Sequence, residues 1–264
     1  MTGIGKIVTL TTDFGTRDPF VGIMKGVILG IHPSANVVDL THEIAPHDIL
    51  EGALALQASV PFFPPGTVHL AVVDPGVGSR RRALALAAGG QQFVGPDNGL
   101  FTFLLDEPGW SAVALENPAY ALPVISPTFH GRDRFAPAAA HLSSGVPLDH
   151  LGPPATDLVR ICWPRARLDG EVLVGEVIHV DRFGNLVTSV RAEEVESLGS
   201  LDAVTVEVMG RRIAGLSPSY ADCRAEEPGA IIGSSGRLEI FLREASARTA
   251  LSIERGAQVR LWKR

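Results

Sequence analysis

The sequence predicts an α/β domain with a largely parallel central sheet, followed by a second, mostly β domain. Three observations carry this. Up to about residue 150, short apolar or β-branched runs alternate with segments of helical period. From Glu171 onward the apolar runs are short, alternating and separated by turn residues. Between the two, composition changes after Leu151-Gly152-Pro153-Pro154. A chain of 264 residues, 45% of them hydrophobic, is long enough for one large or two ordinary domains with sizeable cores. The boundaries expected are 1–163 for the first domain and 169–264 for the second, with the linker near 161–169.

In the first domain, residues 6–12 read as a β-branched strand ending at Asp13. Asp18-Pro19 then gives an N-cap with proline at the first helical position. Phe20, Ile23, Met24, Val27 and Ile31 follow at helical spacing, so this helix buries one face. Residues 36–40 form the next strand. Asp48 and Glu51 fit an N-cap with an acid at N3, opening a helix to about Ser59. Residues 67–73 are an apolar strand interrupted by His69, and 83–88, 92–94 and 112–115 are further strands. A helix follows Gly131, carrying Phe135, Ala138 and Ala139. In the second domain, strands are expected at 172–180, 186–190, 204–208, 238–242 and 258–262; only the acidic stretch 193–198 interrupts them with a helical character.

The formal net charge of −6 is scattered, with no basic patch, which argues against a nucleic-acid partner. Runs such as 68–73 are far too short to cross a bilayer, so no membrane partner is expected. Residues 1–12 lack a basic segment followed by a long apolar stretch and read as a first strand. Cys162 and Cys223 lie far apart; reduced thiols in a cytoplasm are the expectation.

Several loops carry chemistry. Thr11-Thr12-Asp13-Phe14-Gly15 stands at the carboxyl end of the first strand, where open α/β sheets bind ligands. A carboxylate there can accept two hydrogen bonds from a ribose diol; capping its own loop is the plainer role. Asp74-Pro75-Gly76-Val77-Gly78-Ser79-Arg80-Arg81 follows another strand, and its glycines allow close backbone approach. It is no dinucleotide fingerprint, because the third glycine of GxGxxG is replaced by Arg81. Gly95-Pro96-Asp97-Asn98-Gly99 reads as a turn. His42-Glu43-Ile44-Ala45-Pro46-His47 resembles a zinc motif, but Pro46 stands where HExxH needs its second histidine and breaks the helix, so no metal is expected. His130 lies in Thr128-Phe129-His130-Gly131-Arg132-Asp133-Arg134-Phe135, just before a helix. In the second domain, Asp181-Arg182-Phe183-Gly184-Asn185 reads as a hairpin turn and Ser234-Ser235-Gly236-Arg237 precedes a strand.

Taken in order, TTDFG, VVDPGVGS, GPDNGL, TFHGRDRFAP, DRFGN and SSGRLEIFLREA resemble the S-adenosylmethionine hydrolase family, the hydroxide adenosyltransferases, relatives of bacterial fluorinase and chlorinase. The resemblance implies an α/β N-terminal domain with a β-barrel-like C-terminal domain. It also implies homotrimers with active sites between subunits. The activity implied is hydrolysis of S-adenosyl-L-methionine to adenosine and L-methionine by attack of water-derived hydroxide at ribose C5′, with no metal or redox cofactor. Carried over by motif, Asp74, Arg81 and His130 form the catalytic set. Asp13 would hold the ribose hydroxyls, and Asp18, Pro19 and Phe20 would border the methionine part. Asp181 would meet the methionine ammonium, Asn185 the adenine edge, and Ser235 the methionine carboxylate. Arg243 and Ala245 would lie near adenine, with Glu239 a further ligand candidate.

Two alternatives stand beside this reading. A halogenase would use chloride or fluoride; the resemblance places tyrosine in those relatives where this chain has Asp74, and serine where it has Gly131. Those relatives also carry arginine where this chain has Gly236. A non-catalytic adenosine or S-adenosylmethionine binding module would not need Asp74, Arg81 and His130 together.

Overall fold

The computed structural model describes residues 7–106 and 108–264, and its chain divides into two compact units, Met1–Trp163 and Pro164–Arg264. The start expected for the first strand, Lys6, lies outside the described residues.

The first unit is built on a six-stranded sheet in the order β2-β1-β3-β5-β4-β6. Its strands are β1 (Ile7–Thr12), β2 (Asn36–Thr41), β3 (Val68–Val72), β4 (Ala83–Ala88), β5 (Gln91–Pro96) and β6 (Ser111–Ala114). β2, β1, β3 and β5 are parallel, and β4 runs antiparallel to both β5 and β6. The reversal follows from Gly89-Gly90: both adopt positive φ (58° and 77°), as a two-residue hairpin turn needs. Both faces of the inner strands are buried, whereas the edge strand β2 is largely exposed. Val8, Leu10, Leu70 and Val94 pack with Met24, Ile28 and Phe135 on one side; Ala71, Leu86 and Phe93 pack with Ala53 and Leu56 on the other. Each such large aliphatic or aromatic side chain contributes about 1.5–3 kcal/mol on burial.

His69, which interrupts the apolar run of β3, is accommodated by pairing. Its Nε2 lies 2.8 Å from Gln91 Oε1, which can only accept, so Nε2 carries the proton. Its Nδ1, 2.8 Å from Thr9 Oγ1, then accepts from that hydroxyl. Burial pushes the His69 pKa down and keeps the ring neutral.

Three helices cover the sheet: α1 (Phe20–Ile31), α2 (Ile49–Ser59) and α3 (Ala136–Ser143). Two caps differ from expectation. Pro19, not Asp18, is the N-cap of α1; its ψ of 3° is not helical, so the helix starts one residue later and no side chain caps it. Asp48 caps α2 by accepting from the Glu51 N–H at 2.9 Å, but the Glu51 carboxylate turns to the Ala45 N–H instead of closing a capping box. The helix after Gly131 opens as a π turn over Gly131–Phe135, in which the Ala136 N–H reaches the Gly131 carbonyl. Pro137 explains the switch: it has no N–H for the Asp133 carbonyl, which accepts instead from Leu122 N–H at 2.8 Å.

The second unit is antiparallel throughout and barrel-like. Its strands are β7 (Arg167–Asp169), β8 (Val172–Val180), β9 (Leu186–Arg191), β10 (Val204–Val208), β11 (Arg211–Ala214), β12 (Pro228–Ile232), β13 (Arg237–Leu242) and β14 (Gln258–Lys263). The order is β11-β10-β14-β8-β9-β13-β12, with β7 on β8. Just past β11, Ser217 N–H donates to the Ala230 carbonyl of β12 at 2.7 Å, nearly closing the ring. Val177, Leu186, Val206, Leu238, Ile240 and Leu261 fill its core. The short strands β7, β11 and β12 have no counterpart in the sequence reading. Each is at most five residues long, and β12 begins with Pro228, which is tolerated only at a strand start or an edge. Two short helices, α4 (Ala192–Leu198) and α5 (Ala247–Leu251), complete the unit; α4 is the acidic stretch anticipated from sequence.

Candidate active site

Because β1, β3 and β5 are adjacent and parallel, the loops at their carboxyl ends gather at one edge of the sheet. These are the TTDFG, DPGVGSRR and GPDNG segments. The segment before α3 brings in His130.

Arg81 is the centre of the cluster. Its Nε donates to Asp74 Oδ1 at 2.9 Å and its Nη2 donates to Asp74 Oδ2, a bidentate pair. The same Nη2 lies 2.9 Å from His130 Nδ1. A guanidinium can only donate, so His130 Nδ1 must accept and the ring proton sits on Nε2. Burial, reinforced by the charges of Arg81 and Arg134, pushes the His130 pKa down, and the pull of Asp74 and Asp133 does not compensate. His130 is thus a neutral imidazole presenting an N–H at Nε2. The side chains of Asp74 and Arg81 are only 4% and 10% exposed, so the pair is screened little by solvent. The Arg81 guanidinium also stands over the Phe135 ring, 5.1 Å from its centroid.

Backbone geometry holds the two loops together. Gly78 has φ +78°, and a Cβ built there would lie 2.4 Å from the Pro127 carbonyl oxygen. Only glycine lets the DPGVG loop lie so close to the segment leading to His130. That segment is pinned by Asp133, which is fully buried. Its carboxylate accepts from Arg132 Nε and Nη2 (2.5 and 3.0 Å) and from Ser126 N–H (2.7 Å). Burial alone would raise the Asp133 pKa; these donors outweigh it and hold the carboxyl low.

Asp13, predicted to hold a ligand, is half-buried and accepts from the His47 N–H at 2.9 Å through Oδ2. Behind it, Thr12 Oγ1 is 2.9 Å from His42 Nδ1, and the His42 carbonyl accepts from Gly15 N–H at 2.7 Å. The HEIAPH segment therefore supports the TTDFG loop. Among the described residues no group of three His, Cys, Asp or Glu side chains is placed to hold a metal. Asp18, Pro19 and Phe20 are exposed at the start of α1. Phe20 meets Phe14 and Phe129 edge-on at 5.8 and 5.3 Å, and Phe14 meets Phe129 at 6.1 Å. Phe129 thus joins Phe14 and Phe20, over 100 residues earlier in the chain, in one aromatic cluster, which the sequence reading did not anticipate for Phe14 and Phe129.

In the second unit, Asp181, Asn185, Glu239, Arg243 and Ala245 line one pocket of about 920 Å³. Ser234 lines it, whereas Ser235 is exposed in the turn between β12 and β13 and is not part of the lining. Asp181 organises its own turn: Oδ1 accepts from the N–H groups of Phe183 (2.9 Å) and Asn185 (2.8 Å), and Oδ2 accepts from Asn185 Nδ2 (2.8 Å). Tyr220 also lines the pocket and donates its hydroxyl to Glu239 Oε2 at 2.8 Å. Nothing in the local sequence marks Tyr220, which lies in the Ser-Pro-Ser-Tyr-Ala-Asp loop.

Known proteins resemble the chain in both of its units. The description "SAM hydroxide adenosyltransferase N-terminal domain" matches residues 8–152, and "SAM hydroxide adenosyltransferase C-terminal domain" matches residues 175–260. A Thermus thermophilus protein named (R)-S-adenosyl-L-methionine hydrolase is 44% identical over 96% of this chain and 98% of its own length. A fluorinase from an Actinoplanes species is 28% identical, with 97% of each chain covered. The crystal structure of an uncharacterized conserved protein from Thermotoga maritima superimposes with a TM-score of 0.90 at 34% identity, covering 97% of this chain and 100% of the other. On matches that span both of its units, the chain belongs to the SAM hydroxide adenosyltransferase family.

Proposed function

We propose that the protein hydrolyses S-adenosyl-L-methionine to adenosine and L-methionine by in-line attack of a water-derived hydroxide at ribose C5′. The observation that carries this is the Asp74–Arg81–His130 cluster; the hydrolase names of the closer relatives support it. In this reading, His130 Nε2–H donates to the water oxygen and Asp74 takes up the proton the water gives up, while the oxygen forms the C5′–O bond and the C5′–S electron pair leaves on sulfur. Arg81 holds both partners and stabilises developing hydroxide. The leaving group is a neutral thioether departing from a sulfonium, so charge is annihilated in the transition state and a dry pocket favours it. No oxidation state changes, and no metal or redox cofactor enters the scheme; turnover that survives exhaustive chelation would agree with that.

The arrangement also favours water over halide. Arg81 neutralises Asp74 overall, so repulsion by net charge is muted; what remains against an anion is the carboxylate's lone pairs and the lack of a side-chain donor at Gly131. The decisive experiment is turnover in labelled water. The label should appear at the adenosine 5′ oxygen, and label in methionine alone would sink the mechanism.

Asp13 is proposed to hold the ribose hydroxyls, away from the breaking bond. Asp13→Ala should therefore weaken substrate binding by about 10-fold or more, the scale of hydrogen bonds to a charged group, with kcat little changed. Near-normal affinity with collapsed turnover would move Asp13 into the chemistry.

We further propose a homotrimer with sites shared between subunits, on the strength of the family resemblance and of ligand-type residues in both units. A fully active monomer in light scattering would contradict it. A cytoplasmic setting is proposed from Cys162 and Cys223, which are unbonded as a reducing compartment keeps them; cell fractionation tests this. No helix among the described residues is long and apolar enough to cross a membrane.

A further inference from the structure

The turn Gly95-Pro96-Asp97-Asn98-Gly99 takes no part in the chemistry proposed above, yet the sheet order sets it against the loop that carries Asp74 and Arg81. β5 lies between β3 and β4. It runs parallel to β3 and antiparallel to β4, so β3 ends and β4 begins at the edge where β5 ends. The chain from Val73 to Arg82 must therefore cross the carboxyl end of β5. Asp97 and Asn98 follow that end directly.

These two residues grip the loop at both of its ends. Asn98 Nδ2 donates to the carbonyl of Val73, the residue before Asp74, at 2.8 Å. Its amide is oriented for this, because Oδ1 accepts from the Leu100 N–H at 3.3 Å. At the other end, the Asp97 N–H donates to the carbonyl of Arg82, the residue after Arg81, at 3.0 Å. The Asp97 carboxylate holds the side chain of the same residue. Its Oδ2 accepts from Arg82 Nε at 2.8 Å, and its Oδ1 accepts from the Val159 N–H at 2.9 Å. Asp97 is only 5% exposed, and both of its oxygens face donors.

The Arg82 carbonyl is also a hold on the Arg81 guanidinium. Nε and Nη2 of Arg81 serve Asp74 and His130, and Nη1 donates to the Arg82 carbonyl at 3.3 Å. The acceptor that steadies the third side of the guanidinium is thus itself kept in place by the Asp97 N–H.

We propose that Asp97 and Asn98 are positioning residues for the Asp74–Arg81 pair: Asn98 sets the backbone from which Asp74 projects, and Asp97 sets the carbonyl that steadies Arg81. This rests on the reading of Asp74, Arg81 and His130 as the groups that hold the attacking water. A water held by three groups is sensitive to their spacing, and a displacement of about 1 Å at such a site lowers turnover about 10²-fold. Arg82 also pairs with Asp157 through Nη1 at 2.6 Å, but the Asp157 side chain is 85% exposed, and such a pair contributes little. That pair supplies the control.

The test uses the full-length protein. Asn98→Ala, which removes one neutral amide, should lower kcat for S-adenosylmethionine by about 10- to 100-fold. Its affinity for adenosine, by calorimetry, should stay within about twofold of the wild type. Asp97→Asn should act in the same direction and also lower Tm, because its amide turns an N–H group toward a donor. Asn98→Ala alone decides where Asp97→Asn does not fold. Asp157→Asn should leave turnover and Tm at wild-type values.

The second readout is the His130 titration, followed by NMR without substrate and assigned by its loss in His130→Gln. Burial and then Arg81 hold the His130 pKa down, with Arg134 adding to them and Asp74 and Asp133 opposing. When Arg81 retreats, that pKa should rise toward the ordinary histidine value. Asn98→Ala changes no charge, and Asp97→Asn removes a negative one, which by itself lowers a histidine pKa. A rise in both variants therefore reports movement of Arg81, whereas a fall in global stability leaves the folded-state titration where it was.

Wild-type turnover in Asn98→Ala would overturn the assignment, as would parallel losses of turnover and adenosine binding. A lowered kcat with an unmoved His130 titration would also overturn it, and would leave Asp97 and Asn98 with a structural role only. A wild type that does not hydrolyse S-adenosylmethionine, yet shows the His130 rise in both variants, would refute the proposed hydrolysis and uphold the positioning of Arg81. The same protein without that rise would overturn both.

Discussion

His130→Ala and Asp74→Ala should each lower turnover of S-adenosylmethionine by about 10²–10⁴-fold, the range of positioned acid–base groups, with adenosine affinity largely intact. Both residues meet at one guanidinium, so neither substitution leaves the other correctly held. Arg81→Ala should cost as much turnover and stability besides, because it strands a carboxylate that is 4% exposed. On the proposal that the three act on one water, double variants should lose far less than the product of the single effects. The pH profile carries a further sign. His130 is held neutral, its pKa below the ordinary histidine value, so the acid limb of kcat/KM should fall below pH about 6.5. Protonation there puts a second donor opposite Arg81 Nη2 and breaks the contact. The wild type should form no chloro- or fluoro-deoxyadenosine in concentrated halide. Halogenated product, or unchanged turnover in both His130→Ala and Asp74→Ala, would remove the basis of the mechanism.

Gly78→Ala should be nearly as damaging although residue 78 carries no side chain. Its positive φ costs an L-residue about 1–2 kcal/mol. The larger problem is the Pro127 carbonyl 2.4 Å from the new Cβ, a backbone atom that cannot rotate aside. Relief requires the Asp74–Arg81 loop and the segment before His130 to part. A displacement on the order of 1 Å at such a site lowers turnover about 10²-fold. Gly89→Ala is the control, with φ +58° and open space around its Cβ. It should show the strain alone, as a modest fall in Tm with normal turnover. Wild-type turnover in Gly78→Ala, measured beside that control, would show that the contact between the two loops does not matter.

Much of the fold was written in local pattern. The apolar face of α1, the all-buried run of β3 and the alternating strands of the second unit follow from periodicity, because each side chain's burial is set by its own backbone geometry. The antiparallel direction of β4 rests on the Gly89-Gly90 turn, where both residues take positive φ. Short edge strands such as β11 and β12 carry too few apolar positions to stand out. The start of α1 turned on one dihedral of Pro19, which residue identity alone does not fix.

The sequence by itself determined the two kinds of domain, the polar loops at strand ends and, through six ordered motifs, the family resemblance. Only the tertiary structure decided which of those loops meet. Asp74 and Arg81 are seven residues apart and face each other across one turn, but His130 reaches Arg81 across 49 residues of chain. Tyr220 joins Glu239 across 19 residues with no motif to announce it. Such partners are chosen by strand order and by close backbone contacts, as at Gly78, and neither periodicity nor composition encodes them. The hydrogen bonds each carboxylate makes are likewise a property of the assembled fold: Asp181 and Glu239 are both plain acids in the sequence, and the fold alone ties one to its own turn and the other to Tyr220.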